Sequence, residues 1–160
     1  MTRPAGPQDS PGVLLWRSTL RWQRTLTAAL RPLGLTHVQF VLLAGTWWLT
    51  GHNAGPGPPP SQRELAEHAG TDVMMTSQVV RVLERRGLLQ RTTDPADSRI
   101  RRLAVTGTGR ELAVRAVEVV QAADAAFFDQ VPGRDQLLTV LQHLAGTPAP
   151  PAGTPPGAAP

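Results

Sequence analysis

The residues best suited to chemistry in this chain lie between positions 61 and 106. On helical spacings of three and four, Val73, Met74, Ser77, Gln78 and Arg81 share one face, opposite Thr76, Val79, Val80 and Leu83. An amide, a hydroxyl, a guanidinium and two apolar side chains supply donors, acceptors and methyl contacts together, and that mixture suits base edges in a major groove. Arg85, Arg86 and Arg101 follow at positions where a cation would meet backbone phosphates. Arg99 stands in a turn-forming segment from which its guanidinium could enter a narrow minor groove. Asp97 would orient Arg99 or Arg101 by a charge-assisted hydrogen bond, the plainer alternative being a solvated salt bridge worth under about 1 kcal/mol. From 81 to 102 there are seven Arg (81, 85, 86, 91, 99, 101, 102) against Glu84, Asp94 and Asp97, a local net of +4 in a chain whose formal net charge is +4.

Catalytic chemistry finds little support. Cys and Lys nucleophiles are absent, no Gly-x-Ser-x-Gly elbow occurs, and no carboxylate pair stands apart from helix caps or solvated faces. The four His, at 37, 52, 68 and 143, show no metal-ligand spacing. Gly107-Thr108-Gly109 lacks the rest of either nucleotide fingerprint and reads as punctuation before a helix. Met74 and Met75 could be oxidised to sulfoxides, but packing or a thymine methyl contact accounts more simply for apolar residues at that place. No enzyme, no cofactor and no metal is expected.

The elements that must hold these residues can be read outward from them. Ser61-Gln62-Arg63-Glu64 is a capping box that starts a short helix with Leu65, Ala66 and Ala69 on its apolar face, and Gly70 ends it. Thr71-Asp72 offers a second cap for a helix from Val73 to Arg86, closed by Gly87. Two helices joined by a tight Gly turn, the second with a polar outer face, form a helix-turn-helix. Strand-like runs at 88–91 and 100–105, separated by Asp-Pro and Asp-Ser steps that favour turns, add a basic hairpin wing. A helix is expected from Pro11 to about Arg31, with Leu15, Thr19, Trp22, Leu26 and Leu30 on one stripe widened by Trp16 and Leu20. That face is broad for a surface helix, and it reads either as ordinary core or as a subunit interface. Thr36 caps a helix to about Thr50, after which 51–60 is a Gly/Pro connector whose Pro58-Pro59-Pro60 could lie as a third strand beside the wing. Thr106 or Thr108 caps a long helix to Asp129, Pro132-Gly133 breaks it, and a last helix spans 134–145 with Leu137, Leu138, Leu141 and Leu144 on one side. Residues 1–10 read as a disordered arm and 146–160, rich in Pro, Ala, Gly and Thr, as a disordered tail.

Composition sets the outer bounds. With 160 residues the chain suits one domain, 11–145, whose DNA-reading part is 61–106. The lack of Cys excludes disulfides, thiolate metal sites and thiol-based peroxide sensing. No secretory pattern is seen, and the longest apolar run, 38–49, is interrupted by Gln39 and Thr46 and too short for a bilayer, so a cytoplasmic protein without membrane association is expected. All 16 basic residues are Arg, giving a pI of about 11.4, which fits phosphate binding but also a GC-rich coding bias.

Five blocks, in order, carry a resemblance: 35–43 (Leu-Thr-His-Val-Gln-Phe-Val-Leu-Leu), Leu65-Ala66-Glu67, Leu83-Glu84-Arg85-Arg86-Gly87-Leu88, Asp94-Pro95-Ala96-Asp97-Ser98-Arg99 and 103–110 (Leu-Ala-Val-Thr-Gly-Thr-Gly-Arg). Together they resemble the MarR family of bacterial transcriptional regulators across roughly 14–144. The chain departs from the family pattern in the apolar start Val73-Met74-Met75 and in Ser98, where a basic residue is common, and both bear on which operator is read. The resemblance implies a mainly α fold with a small β-wing, in which helices 11–31 and 107–145 interlock with those of a second copy. It further implies a homodimer that binds double-stranded DNA and represses transcription, the alternative being a winged-helix protein-interaction module that no longer touches DNA. Family members often respond to phenolic or lipophilic molecules between the dimer helices and the winged lobe. Trp16, Trp22, Trp47 and Trp48, in a chain with no Tyr, would then line an effector pocket, with Arg17 or His52 meeting a carboxylate or phenolate; the alternative for these Trp is plain core.

Overall fold

The computed structural model describes residues 6–52 and 57–146, with the side chain of His52 left out. Residues 1–5 of the expected arm 1–10, residues 53–56 of the connector 51–60 and residues 147–160 of the expected tail 146–160 lie outside the described residues. Six α-helices and one two-stranded antiparallel sheet follow in the order α1 Pro11–Leu30, α2 His37–Trp47, α3 Gln62–Ala69, α4 Val73–Arg85, β1 Leu89–Thr93, β2 Arg101–Val105, α5 Gly107–Phe128 and α6 Arg134–Leu144. The described chain forms two compact units that divide within α5, at Asp124 and Ala125.

In the first unit each helix begins where a short polar side chain satisfies an orphan amide. Ser10 caps α1, and Thr36 caps α2 through a capping box completed by Gln39. Ser61 and Glu64 form the reciprocal box of α3, Asp72 accepts the Met75 amide at 2.8 Å, and Thr106 Oγ1 accepts the Gly109 amide at 3.0 Å. The α3–α4 turn depends on Gly70 at φ 64°, a left-handed conformation that a side chain would resist.

The core sits where α1, α2, α3, α4, β2 and α5 converge. Leu26 and Leu30, Leu42 and Leu43, Leu65, Val80 and Leu83, Leu103, and Ala113 and Ala116 are all almost fully buried there. Only the C-terminal half of the α1 stripe takes part, because Leu15 and Trp16 remain 49% and 64% exposed.

Three boundaries depart from the periodicity. Helix α2 ends at Trp47 and widens into a π turn over Trp48–His52. There Thr46 and Thr50 hydroxyls donate to the Leu42 and Thr46 carbonyls, competing with the helical ladder. The hairpin runs two residues further than the apolar run, since β-branched Thr92 and Thr93 pair with Arg102 and Arg101. The Pro-rich run contributes a single bridge between Ser61 and Arg102, with the Leu103 amide donating to the Pro60 carbonyl at 2.8 Å. Prolines have no N–H to extend it.

In the second unit, Phe127 and Phe128 meet edge to face at 5.0 Å, and Gly133 in a left-handed conformation precedes α6. Leu138, Val140 and Leu144 are exposed on that helix. Among the described residues no single helix is long and apolar enough to cross a membrane.

Candidate nucleic-acid interface

Helix α4 buries Thr76, Val80 and Leu83 and turns its other face outward. Val73 is 54% and Met74 74% exposed, Gln78 and Arg81 are exposed, and Ser77 is half-buried, so the five side chains grouped by spacing do share one accessible face. Thr76 is anchored from below: its hydroxyl donates to the Asp72 carbonyl at 2.8 Å and lies 2.7 Å from the Thr71 hydroxyl. The start of α4 is thereby tied to the turn that precedes it.

The seven arginines between 81 and 102 divide by partner. Arg81, Arg85 and Arg99 are exposed and have no ion-pair partner among the described residues. Arg101 is exposed and donates to the Thr93 hydroxyl across the hairpin. Arg86 turns back toward α2 and donates to Gln39 Oε1 at 3.2 Å, while Arg91 pairs with Glu84 at 2.9 Å. Asp97 Oδ1 accepts the Arg99 main-chain amide at 2.9 Å. The carboxylate therefore shapes the turn at the wing tip, and the guanidinium of Arg99 stays unpaired with it. Asp94 supports the same turn by accepting the Ala96 and Asp97 amides.

Arg102 was not singled out by spacing, yet it clasps the wing to the helix-turn-helix. Its Nε donates to Asp94 Oδ2 at 2.6 Å and its Nη1 to Glu64 Oε2 at 2.9 Å, with the Pro59 carbonyl at 3.3 Å. Glu64 is the capping-box carboxylate, so one residue closes the start of α3 and holds β2 against it. The Ser61 amide, together with the Arg102 guanidinium, holds the Glu64 carboxyl below the usual range. The Arg102 guanidinium, followed by the Ala96 and Asp97 amides, does the same for Asp94, and Asp94 in turn raises Arg102. Glu64 was visible in the sequence as half of a capping box; its partner 38 residues away was not.

The residues named for an effector pocket separate. Trp47 and Trp48 line a cleft of about 500 Å³ together with Phe40, Val41, Ala44 and Gly45 of α2, His68 and Ala69 of α3, and Val117 and Gln121 of α5. Trp16 and Arg17 lie on the exposed first half of α1 and do not line it. Trp22 packs edge to face on His37 at 5.1 Å and donates its indole N–H to Asp124 at 2.7 Å, which joins α1, α2 and α5. Burial lowers the His37 pKa against the opposing pull of Asp124. His68, which spacing did not mark, is the titratable side chain on the cleft.

Known proteins share this fold. The model of the MarR family matches residues 35–100. The chain is 40% identical over 140 residues to the HTH-type transcriptional regulator YdcH of Bacillus subtilis strain 168, which covers 88% of this chain and 92% of the relative. To the HTH-type transcriptional repressor Rv2887 of Mycobacterium tuberculosis strain H37Rv it is 37% identical over 118 residues, or 73% and 79% of the two chains. The crystal structure of Rv2887 in complex with salicylic acid matches with a TM-score of 0.63 and 34% identity over 84% of this chain and 96% of that one. CouR bound to a 23-mer DNA duplex matches with a TM-score of 0.74 and 27% identity over 91% and 97%. CouR from Rhodococcus jostii RHA1 bound to p-coumaroyl-CoA matches with a TM-score of 0.74 and 30% identity over 88% and 94%. With its winged helix-turn-helix and a relative that spans nearly all of its length, the chain belongs to the MarR family of HTH-type transcriptional regulators.

Proposed function

We propose that this regulator binds duplex DNA as a homodimer and represses transcription from a near-palindromic operator. The observation that carries the reading is the outer face of α4, where Val73, Met74, Ser77, Gln78 and Arg81 are accessible above a buried Thr76–Val80–Leu83 stripe. Ser77, Gln78 and Arg81 read base edges and Met74 meets a thymine methyl. Arg85 and Arg101 lie against phosphates, as does Arg86 once released from Gln39, and Arg99 enters the minor groove at the wing tip. CouR bound to duplex DNA and the repressor Rv2887 support this reading by relation. The exposed Leu14, Leu15 and Trp16 of α1 and Leu138, Val140 and Leu144 of α6 are the apolar surfaces through which a second copy docks. A twofold dimer sets its half-sites roughly 10 to 10.5 bp apart. Footprinting on the gene's own upstream region tests the reading: paired protection at that spacing is expected, and no protection at physiological salt would favour a winged helix that binds protein alone.

A small aromatic or lipophilic molecule in the cleft beside Trp47 and Trp48 releases the DNA. Support comes from the cleft's size, which falls within the usual range for ligand sites, and from relatives bound to salicylic acid and p-coumaroyl-CoA. Such a ligand acts only through its preference for the lobe spacing that does not fit the operator; a preference of about 100-fold is worth roughly 2.7 kcal/mol, and DNA must weaken ligand binding by the same factor. Salicylate should quench Trp fluorescence and lower operator affinity together, and Trp48→Ala should blunt both effects. Quenching with operator affinity unchanged would leave a pocket without a switch.

A further inference from the structure

The reactive sulfur of this chain is concentrated on its DNA-facing helix. There is no Cys, and apart from Met1 the methionines are Met74 and Met75, adjacent in the first turn of α4. Packing does not account for them: Met74 is 74% and Met75 38% exposed, whereas the next residue, Thr76, is fully buried. The Asp72 cap holds the Met75 amide, so both exposed methionines sit in an ordered turn.

We propose that Met74 and Met75 are an oxidation site through which hypochlorous acid, or a hydroperoxide, lowers DNA affinity. The inference rests on the DNA-binding reading above. In the net reaction with hypochlorous acid a sulfur–oxygen bond forms and the oxygen–chlorine bond is lost. Sulfur gives up two electrons, chlorine leaves as chloride, and the proton passes to water, so thioether and oxidant become sulfoxide and hydrochloric acid. The product is polar and chiral where the thioether was apolar and pliant. A sulfoxide oxygen has no partner on a thymine methyl and adds an acceptor beside the phosphates, so the contact that an apolar side chain makes becomes unfavourable. Reduction by the two methionine sulfoxide reductases, one for each epimer, returns the thioether. Bound DNA covers the same side chains, which makes the free protein the form that responds.

The test uses the full chain, limiting hypochlorous acid, mass spectrometry of the products, and the upstream duplex defined by footprinting. Met74 and Met75 should each gain one oxygen before any Trp does, and the bound duplex should slow that gain. Affinity should fall at least about tenfold on oxidation and recover after treatment with both reductases. A chain carrying Met74→Leu and Met75→Leu, compared with itself before and after oxidation so that its starting affinity cancels, should show a ratio near one. Oxidation of both methionines with affinity unchanged would overturn the proposal, as would earlier oxidation of Trp or an equal loss in the double-Leu chain. Failure of the untreated protein to bind the duplex would instead remove the DNA-binding reading, and this proposal with it.

Discussion

Gly109 is where the wing is fastened to the long helix, and replacing it with Ala should be costly although it lies in a helix. A Cβ built there falls 1.9 Å from the Leu88 carbonyl oxygen, against the 3.4 Å at which ordinary contact begins. Backbone cannot rotate aside as a side chain does, so α5 and the start of β1 must separate by about 1.5 Å. The joint holds several bonds that such a shift breaks. The Thr106 amide donates to the Leu88 carbonyl at 3.1 Å, and the Thr106 hydroxyl donates to the Gly87 carbonyl at 2.6 Å while accepting the Gly109 amide at 3.0 Å. Losing one or two of these costs about 1 kcal/mol each, and overpacking a filled site adds roughly 1–3 kcal/mol. The helical preference of Ala over Gly returns at most about 1 kcal/mol. The net expectation is a loss of about 1–4 kcal/mol, or a fall in Tm of roughly 2–16 °C for a chain of this size. Gly107, two residues earlier in the same helix, has nothing within 4 Å of its built Cβ. Gly107→Ala should therefore be neutral or slightly stabilising. Urea unfolding at fixed protein concentration measures both, concentration being held because the proposed dimerisation would shift the midpoint. A Gly109→Ala chain within about 0.5 kcal/mol of the unsubstituted one, a spread typical of inert surface changes, would refute the steric argument.

Three further outcomes follow from the same geometry. Arg102→Met should free the wing from α3, raising hydrogen exchange across β1 and β2 and weakening operator binding while α4 stays protected; uniform protection of the hairpin would show that the clasp is dispensable. Because burial lowers the His37 pKa below the ordinary imidazole value of about 6.5, the unfolded chain binds the proton more readily, so stability should be full above about pH 6.5, fall as the pH drops through that value, and level off below the folded pKa. His37→Gln should flatten that limb of the pH–stability curve, and an unchanged limb would assign it elsewhere. Arg99→Ala should lose affinity mainly for operators with A·T-rich flanks, an equal loss on G·C flanks leaving only a phosphate role.

The legible features were those set by neighbours in sequence. The cap at Thr36, the capping box at Ser61, the αL glycine at 70 and the Thr76–Val80–Leu83 stripe each specify local geometry, and with them the outer face of α4 is determined. What spacing could not supply was the choice of partner for long polar side chains. Arg102 finds Glu64 and Asp94 across gaps of 38 and 8 residues, Arg86 finds Gln39 across 47, and Trp22 finds Asp124 across 102. Those pairings depend on packing between elements. For the same reason the four Trp, equivalent by composition, divide into two on the cleft, one tied to Asp124 and one on the open half of α1. Asp97, read as a guanidinium partner, is an Asx-type turn residue, a role that the adjacent Asp-Ser-Arg step permits equally well.

The reading of DNA by the outer face of α4 is tested by the affinities of the unsubstituted, Gln78→Ala and Arg81→Ala chains for two labelled duplexes. One carries the footprinted sequence; the other has equal length and composition in scrambled order. Each substitution should cost on the order of 1–3 kcal/mol on the first duplex, with preference relaxed at one position per half-site, and little on the second. An equal loss on both would show that these residues contact the backbone, and the base-reading role of α4 would be wrong.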